Sequence, residues 1–279
     1  MNIVVLGAKG SAVTTTALAL AGSWPALAGP VAFVEADASG GDLAARFDLP
    51  ASPSLLTAAA SLQQPTFGLL LEHTHSLPGG VRVVAAPASA VEVAGGMSDF
   101  TRAVLAPMRH RTDGHLLIDA GRQDARSLPA LAMHADLVVV VVRQDMRSAP
   151  STVGRCLHAQ QLLAALLSRG LPAVAVMVGD APYRAADIAQ FLGVPVLGTL
   201  PEDPFGASHL SGHPASARAA RRSSLATAAA GVAAALSSEI VPTASSAPAS
   251  TRRRNRRSIR PHPDLPPGGT TVATTEVSA

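Results

Sequence analysis

Lysine is almost missing from this chain. Of 22 basic residues, 21 are arginine and only Lys9 is lysine. Cysteine is equally scarce: Cys156 stands alone, which excludes a disulfide framework and a cysteine-based metal cluster. It falls in an apolar helical pattern, where a buried small hydrophobe is expected. Aromatic residues make up only 3% of the chain. The 48% of hydrophobic residues must therefore build a core from Ala, Val and Leu. Long apolar runs are absent too. The longest, Leu137 to Val142, is far short of the roughly 20 residues that span a bilayer. No charged segment precedes the strand-like run Met1 to Leu6, so a secretory signal is not expected and a cytoplasmic location is.

What is present is unevenly distributed. The formal charge is +3 over 279 residues, but Pro242–Ala279 holds six arginines against Asp264 and Glu276, a net of +4. Met1–Val241 is left with 16 basic and 17 acidic residues, a net of −1. The basic character belongs to a tail. That tail, 242–279, is rich in Pro, Ser, Thr, Gly and Arg with almost no bulky apolar residue, so it is expected to be disordered.

Before the tail, short apolar runs alternate with helical patterns. Ile3–Leu6, Val31–Val34, Val81–Ala85, His115–Ile118, Leu137–Val142, Ala173–Val178 and Val194–Leu197 read as strands, most of them continuous enough to be buried on both faces. Thr15–Ala21, Met97–Arg109, Thr152–Leu167 and Ala217–Leu236 read as helices. In the third, Val153, Cys156, Leu157, Leu163, Ala164 and Leu167 form an apolar stripe. The alternation predicts an α/β domain over 1–241, a doubly wound and mostly parallel sheet with helices on both faces.

The first strand runs into Gly7-Ala8-Lys9-Gly10-Ser11-Ala12-Val13-Thr14-Thr15-Thr16 and then an apolar helix. A small-residue loop feeding a helix N-terminus presents backbone N–H groups and the positive end of the helix dipole, a site for phosphate. An ordinary strand–helix turn would look much the same. The loop resembles the deviant Walker A motif of the ParA/MinD group of P-loop ATPases, Lys-Gly-Gly-x-Gly-Lys-[Ser/Thr]-Thr. Lys9 falls on the signature lysine, which in that family reaches a phosphate across a nucleotide-sandwich dimer. Gly10 matches the next glycine, and Thr15 and Thr16 match the hydroxyl pair, of which the first is a Mg²⁺ ligand. Ser11 and Val13 replace glycines, Ala8 replaces the first glycine of the general pattern, and Thr14 replaces the P-loop lysine. Thr14 brings a hydroxyl but no charge, and β-branched Val13 disfavours close approach of the backbone to phosphate.

Other segments resemble the same family. Val34-Glu35-Ala36-Asp37-Ala38-Ser39-Gly40-Gly41 is similar to its second motif, which would give Asp37 the role of orienting the attacking water or the metal shell; Glu35 stands where the family usually has Asp. Leu116-Leu117-Ile118-Asp119 resembles Walker B and implies that Asp119 supports Mg²⁺. Val178-Gly179-Asp180 lies where relatives often carry an adenine-reading Asn. Val194–Pro204 resembles the last strand and base-covering loop, assigning Pro201 and Glu202 to the nucleotide. By resemblance the cofactor residues are thus Gly10, Ser11, Ala12, Val13, Thr14, Thr15, Thr16, Pro201 and Glu202, with Lys9 and Asp37 catalytic and Thr15 and Asp119 at the metal.

The resemblance covers about Met1 to Leu236. Lacking the P-loop lysine, the chain is expected to bind ATP and Mg²⁺ weakly or not at all, to hydrolyse poorly, and to act as a scaffold or positioning factor. Partition, or placement of a pilus or secretion machine, is the implied setting. Two other readings stay open: an active partitioning ATPase with Lys9 or Arg143 as substitute cation, and a non-enzymatic adaptor. For the adaptor, Arg252–Arg260 would contact DNA or an anionic membrane surface, with Arg218, Arg221 and Arg222 as a second basic strip. A homodimer and an unidentified protein partner are further expectations of the family likeness. The histidine pairs His73/His75 and His110/His115 lack metal-ligand spacing and are expected on solvated loops. Neither Ser39 nor Ser211 sits in a nucleophile elbow.

Overall fold

The computed structural model describes residues 1–8, 10–126, 128–213 and 217–240. Lys9 and the arginine-rich tail lie outside the described residues. Eight strands form one sheet: β1 (Asn2–Gly7), β2 (Val31–Glu35), β3 (His75–Ser76), β4 (Arg82–Val84), β5 (His115–Arg122), β6 (Leu137–Arg143), β7 (Ala173–Val178) and β8 (Val196–Leu200). Their order is β3-β4-β2-β5-β1-β6-β7-β8, and every pairing is parallel except the short β3–β4 ladder at one edge. From β1 the chain moves to β2 on one side and later to β6, β7 and β8 on the other. A crevice is thereby left at the C-terminal end of β1, where doubly wound sheets bind ligands.

Both faces of the sheet are covered, which is why its strands read as unbroken apolar runs. Ile3 and Val5 of β1 point into a core shared with Ala17, Leu18 and Leu20 of α1 (Val13–Gly22), which also takes Leu225, Ala229 and Val232 of a late helix (Ser224–Ile240). Val4 and Leu6 point the other way. That second core is filled from α3 (Leu55–Ser61), α4 (Phe67–Leu71), α7 (Ala149–Leu167) and α8 (Ala185–Leu192). Four further helices are α2 (Leu43–Arg46), α5 (Ala90–Phe100), α6 (Ala106–Met108) and α9 (Pro204–His209), with a π-turn at Thr101–Leu105 joining α5 to α6. Phe33 and Phe100 are the only aromatics among the largest fully buried side chains, the rest being Leu, Ile and Met.

Three expectations change. The Ala-rich stretch 217–236 is not one helix: α10 (Ala217–Ala220) ends in a turn at Arg221 and Arg222, and α11 begins at Ser224. Two capping contacts cause the break. Ser223 Oγ accepts from Ala226 N (3.1 Å), and Asp203 Oδ2 accepts from Leu225 N (3.1 Å) and Ser224 Oγ (3.0 Å). Arg221 and Arg222 consequently sit on a turn. The buried face of α7 is Thr152, Cys156, Ala159, Leu162, Leu163 and Leu166; Leu157 and Leu167 lie off it and are exposed. Cys156 itself is buried as expected, and burial pushes its thiol up to about 11. His75 and His115 are buried, each donating to a backbone carbonyl: His75 Nε2 lies 2.7 Å from Pro53 O and His115 Nε2 2.7 Å from Ala28 O. Among the described residues no helix is long and apolar enough to cross a membrane.

Candidate nucleotide site

The loop after β1 is closed over itself by its own side chains. A Cβ on Gly7 would meet Val141 O at 2.8 Å, Ser11 Cβ at 3.0 Å and Val13 Cγ2 at 3.0 Å, so Ser11 and Val13 pack directly on the strand end. Ser11 is 1% exposed and its hydroxyl has no partner among the described residues. Gly10 has φ 73°, and Ala12 adopts φ 57°, ψ 42° without being glycine. That left-handed turn costs about 1 kcal/mol. It delivers the chain into α1 with no side-chain cap. Helix N–H groups at such an end need partners from outside, which is what an anion supplies.

On one side of this helix start lies an acidic group. Asp119 ends the apolar part of β5 and is 1% exposed. Its Oδ1 accepts from Gly121 N at 2.9 Å, while its Oδ2 is buried with no partner among the described residues. Burial pushes its carboxyl up to about 7; the Thr14 hydroxyl and the Gly121 N–H oppose the rise, and the Asp37 and Glu35 charges add to it. The Asp37 carboxylate lies against Gly121. A Cβ there would fall 1.9 Å from Asp37 Oδ2, and its φ of +64° suits glycine independently. Asp37 Oδ1 also accepts from Ser39 N (2.8 Å) and Ser39 Oγ (2.7 Å), a local turn that fixes the carboxylate.

Glu35 does a different job. Its Oε1 accepts from Asp42 N (2.7 Å) and Leu43 N (3.0 Å), and its Oε2 from Ala86 N (2.9 Å). The carboxylate ties the ends of β2 and β4 to the start of α2. Burial raises its pKa against the pull of those three N–H groups. Gly41 makes room for it, since a Cβ would lie 2.5 Å from Glu35 Oε2.

On the other side of the helix start is a cavity of about 260 Å³. Its walls include Thr15 and Thr16 of α1, Arg143 at the end of β6, and Pro201 and Glu202 after β8. Arg143 and Glu202 face each other across it, with Nε and Nη2 at 2.9 and 2.8 Å from Oε1. Ala12 also lines this space. The residues assigned by sequence therefore gather in two places flanking one helix end: Thr15, Thr16, Pro201 and Glu202 at the cavity, and Thr14, Asp37 and Asp119 at the acidic group. Ser11 and Val13 fill the loop itself, and Gly10 supplies its turn. Lys9 falls outside the described residues.

Sequence reasoning named Arg143 only as a substitute cation, and it overlooked Glu35 as a buried tie and Gln144. The Gln144 amide donates to Gly179 O (3.0 Å) and Tyr183 O (2.9 Å) and accepts from Tyr183 N (2.8 Å), which locks the loop after β7. A polar residue directly after an apolar strand was the available signal, but its partner lies 35 or more residues away.

An oxygen donor set of this kind suits magnesium in its chemistry: one buried carboxylate oxygen without a partner, and a second carboxylate beside it. Among the described residues no group of three or more His, Cys, Asp or Glu side chains is arranged to hold a metal by itself.

No protein-family model matches the chain, and no curated protein matches it in sequence. Solved structures do match in fold. The cell division ATPase MinD of Pyrococcus furiosus superposes with a TM-score of 0.65 at 18% identity, covering 85% of this chain and 98% of that one. MinD of Pyrococcus horikoshii, solved with Mg-ADP, gives 0.62 at 18% identity over 87% and 96%. A ParA family ATPase of Chlorobium tepidum gives 0.62 at 18% over 84% and 98%. The chain has the doubly wound fold of the ParA and MinD ATPases.

Proposed function

We propose that this chain is a positioning protein of the ParA/MinD type whose nucleotide site binds ATP weakly and does not turn it over at a useful rate. The observation that carries this reading is the state of the loop after β1. Ser11 and Val13 pack on Gly7 where phosphate-binding loops keep bare backbone, and Thr14 stands beside Asp119 where a lysine would supply charge. The ligand-binding features around it are retained: an uncapped helix start, a cavity of about 260 Å³ with Thr15 and Thr16 in its wall, and Asp37 held next to Asp119. In this reading Asp119 and Asp37 would hold Mg²⁺, which would supply the positive charge that draws Asp119 into its ionised form. Thr15 and the N–H groups of the first turn of α1 would orient the phosphates. The cargo would be a partition complex or a membrane machine such as a pilus or secretion assembly.

The test is a titration of the purified chain with ATP and Mg²⁺, following melting temperature, oligomeric state and phosphate release together. The expected result is a melting shift at millimolar nucleotide with no release of phosphate; a ligand at 100 times its Kd stabilises by about 2.7 kcal/mol. Thr14→Lys should enlarge the shift. Hydrolysis that Asp37→Ala abolishes would replace this reading with that of a working ATPase, Arg143 leaving Glu202 to serve as its cation. The absence of any shift would retire nucleotide from the function altogether.

A further inference from the structure

The cavity beside the start of α1 is walled on one side by the ends of three neighbouring strands. Arg143 closes β6, Val178 beside it closes β7, and Leu200 beside that closes β8 and leads into Pro201 and Glu202. Most of the polar capacity at this level is already spent. Gln144 is 1% exposed, and its amide is consumed by Gly179 and Tyr183. Asp203 Oδ1 accepts from Gly206 N (2.9 Å), and its Oδ2 accepts from Ser224 Oγ and Leu225 N. Gly179 has no side chain to offer. The Arg143–Glu202 pair is different. Arg143 Nε and Nη2 both lie on Glu202 Oε1, while Arg143 Nη1 and Glu202 Oε2 take no hydrogen bond among the described residues. Arg155 Nη1 donates to Arg143 O (3.1 Å), which steadies the backbone beneath the guanidinium.

This pairing governs what can sit against Arg143. A phosphate oxygen on Nη1 would stand beside the Glu202 carboxylate, which lies only 2.8 Å from the same guanidinium, so the attraction of one charge is offset by the repulsion of the other. A neutral ring meets no such repulsion. It gains a planar guanidinium held in one orientation, and a donor and an acceptor side by side for its polar edge. The neighbouring wall residues Val178, Leu200, Pro201 and Pro204 are apolar and suit the faces of a ring. We propose that Arg143, braced by Glu202, binds the base of the nucleotide and not its phosphates. The base contact rests on the nucleotide site proposed above, whose phosphates lie at the start of α1 with Thr15.

Three ligands separate base from phosphate: ATP, adenosine and inorganic tripolyphosphate. Each is titrated with Mg²⁺ into the full chain while the melting temperature is followed. In Arg143→Ala, ATP and adenosine should each bind about tenfold more weakly, the scale of one charge-assisted hydrogen bond, and tripolyphosphate should bind as before. Arg143→Lys keeps the charge without the planar fork and should not restore the lost affinity. The Arg143 side chain is 40% exposed, so both variants should melt close to the parent when no ligand is present. The base contact is overturned if Arg143→Ala weakens tripolyphosphate as much as ATP, if it leaves ATP unchanged, or if Arg143→Lys restores full binding. Those outcomes leave the nucleotide site standing. A parent chain that binds none of the three ligands would instead retire the nucleotide site, and the base contact with it.

Discussion

Asp119 and Glu35 are two carboxyl groups at the ends of neighbouring strands, and both have their pKa values raised by burial. For a carboxyl raised in the folded state, the unfolded chain loses its proton first as pH rises. Stability therefore falls through the interval between the two pKa values and is level above it. For Asp119 that interval runs from 3.8 to about 7. Asp119→Asn should remove its share of the fall and stabilise the chain by about 3 kcal/mol at pH 8, read as a flatter profile of denaturant midpoint against pH. Glu35→Gln should act in the opposite direction. Its amide NH₂ would have to face a backbone N–H that Glu35 now accepts from, at a cost of about 2 kcal/mol. Gly121→Ala should be worse than either, since the new methyl coincides with the Asp37 carboxylate and the φ of +64° is unfavourable to it. These roles were only partly legible beforehand. Asp37 follows β2 and Asp119 closes the apolar run of β5, where a motif can be matched. The triple acceptance by Glu35 joins residues up to 51 positions apart, which no local pattern encodes.

At the scale of elements, α1 and α11 carry the argument. Both lie on the same face of the sheet and share its core. The strands were readable because burial on both faces leaves continuous apolar runs, and most predicted limits fall within two residues of the observed ones. The late helix was misread for a reason that propensity conceals. Alanine favours helix throughout 217–236, and the break at Ser223 is imposed by caps, one of them from Asp203 some twenty residues earlier. Asp203→Ala and Ser223→Ala should each lower stability by about 1 kcal/mol, measurable as a denaturant midpoint at constant slope. Asp203 is held below the usual carboxylate range, chiefly by the Gly206 N–H and then by that of Leu225. Its contribution is complete above 3.8, its unperturbed value, and disappears as pH falls through the folded value. The Asp203 variant should consequently converge on the parent in strong acid, and the Ser223 variant should not.

For the whole molecule, the order β3-β4-β2-β5-β1-β6-β7-β8 places the loop after β1 between two half-sheets, with the cavity at Arg143 and Glu202 on the side of β6, β7 and β8. At the far end of α1, the single tryptophan of the chain stands just past the last turn, one residue beyond Ser23. The Trp24 indole lies 5.2 Å from the His115 ring, centroid to centroid, and burial lowers the pKa of that imidazole below 6.5. A histidine lowered in this way adds stability that is complete above 6.5 and diminishes as pH falls through its folded value. It also means that all tryptophan emission from this chain comes from one place, with a proton-sensitive neighbour: a protonated imidazole quenches indole. Intrinsic fluorescence should fall with acid at a midpoint below 6.5, and His115→Gln should abolish that step without altering the emission at pH 8. The chain thus comes with its own optical probe at the base of α1, and the protonation state of its neighbour can be followed without attaching a dye.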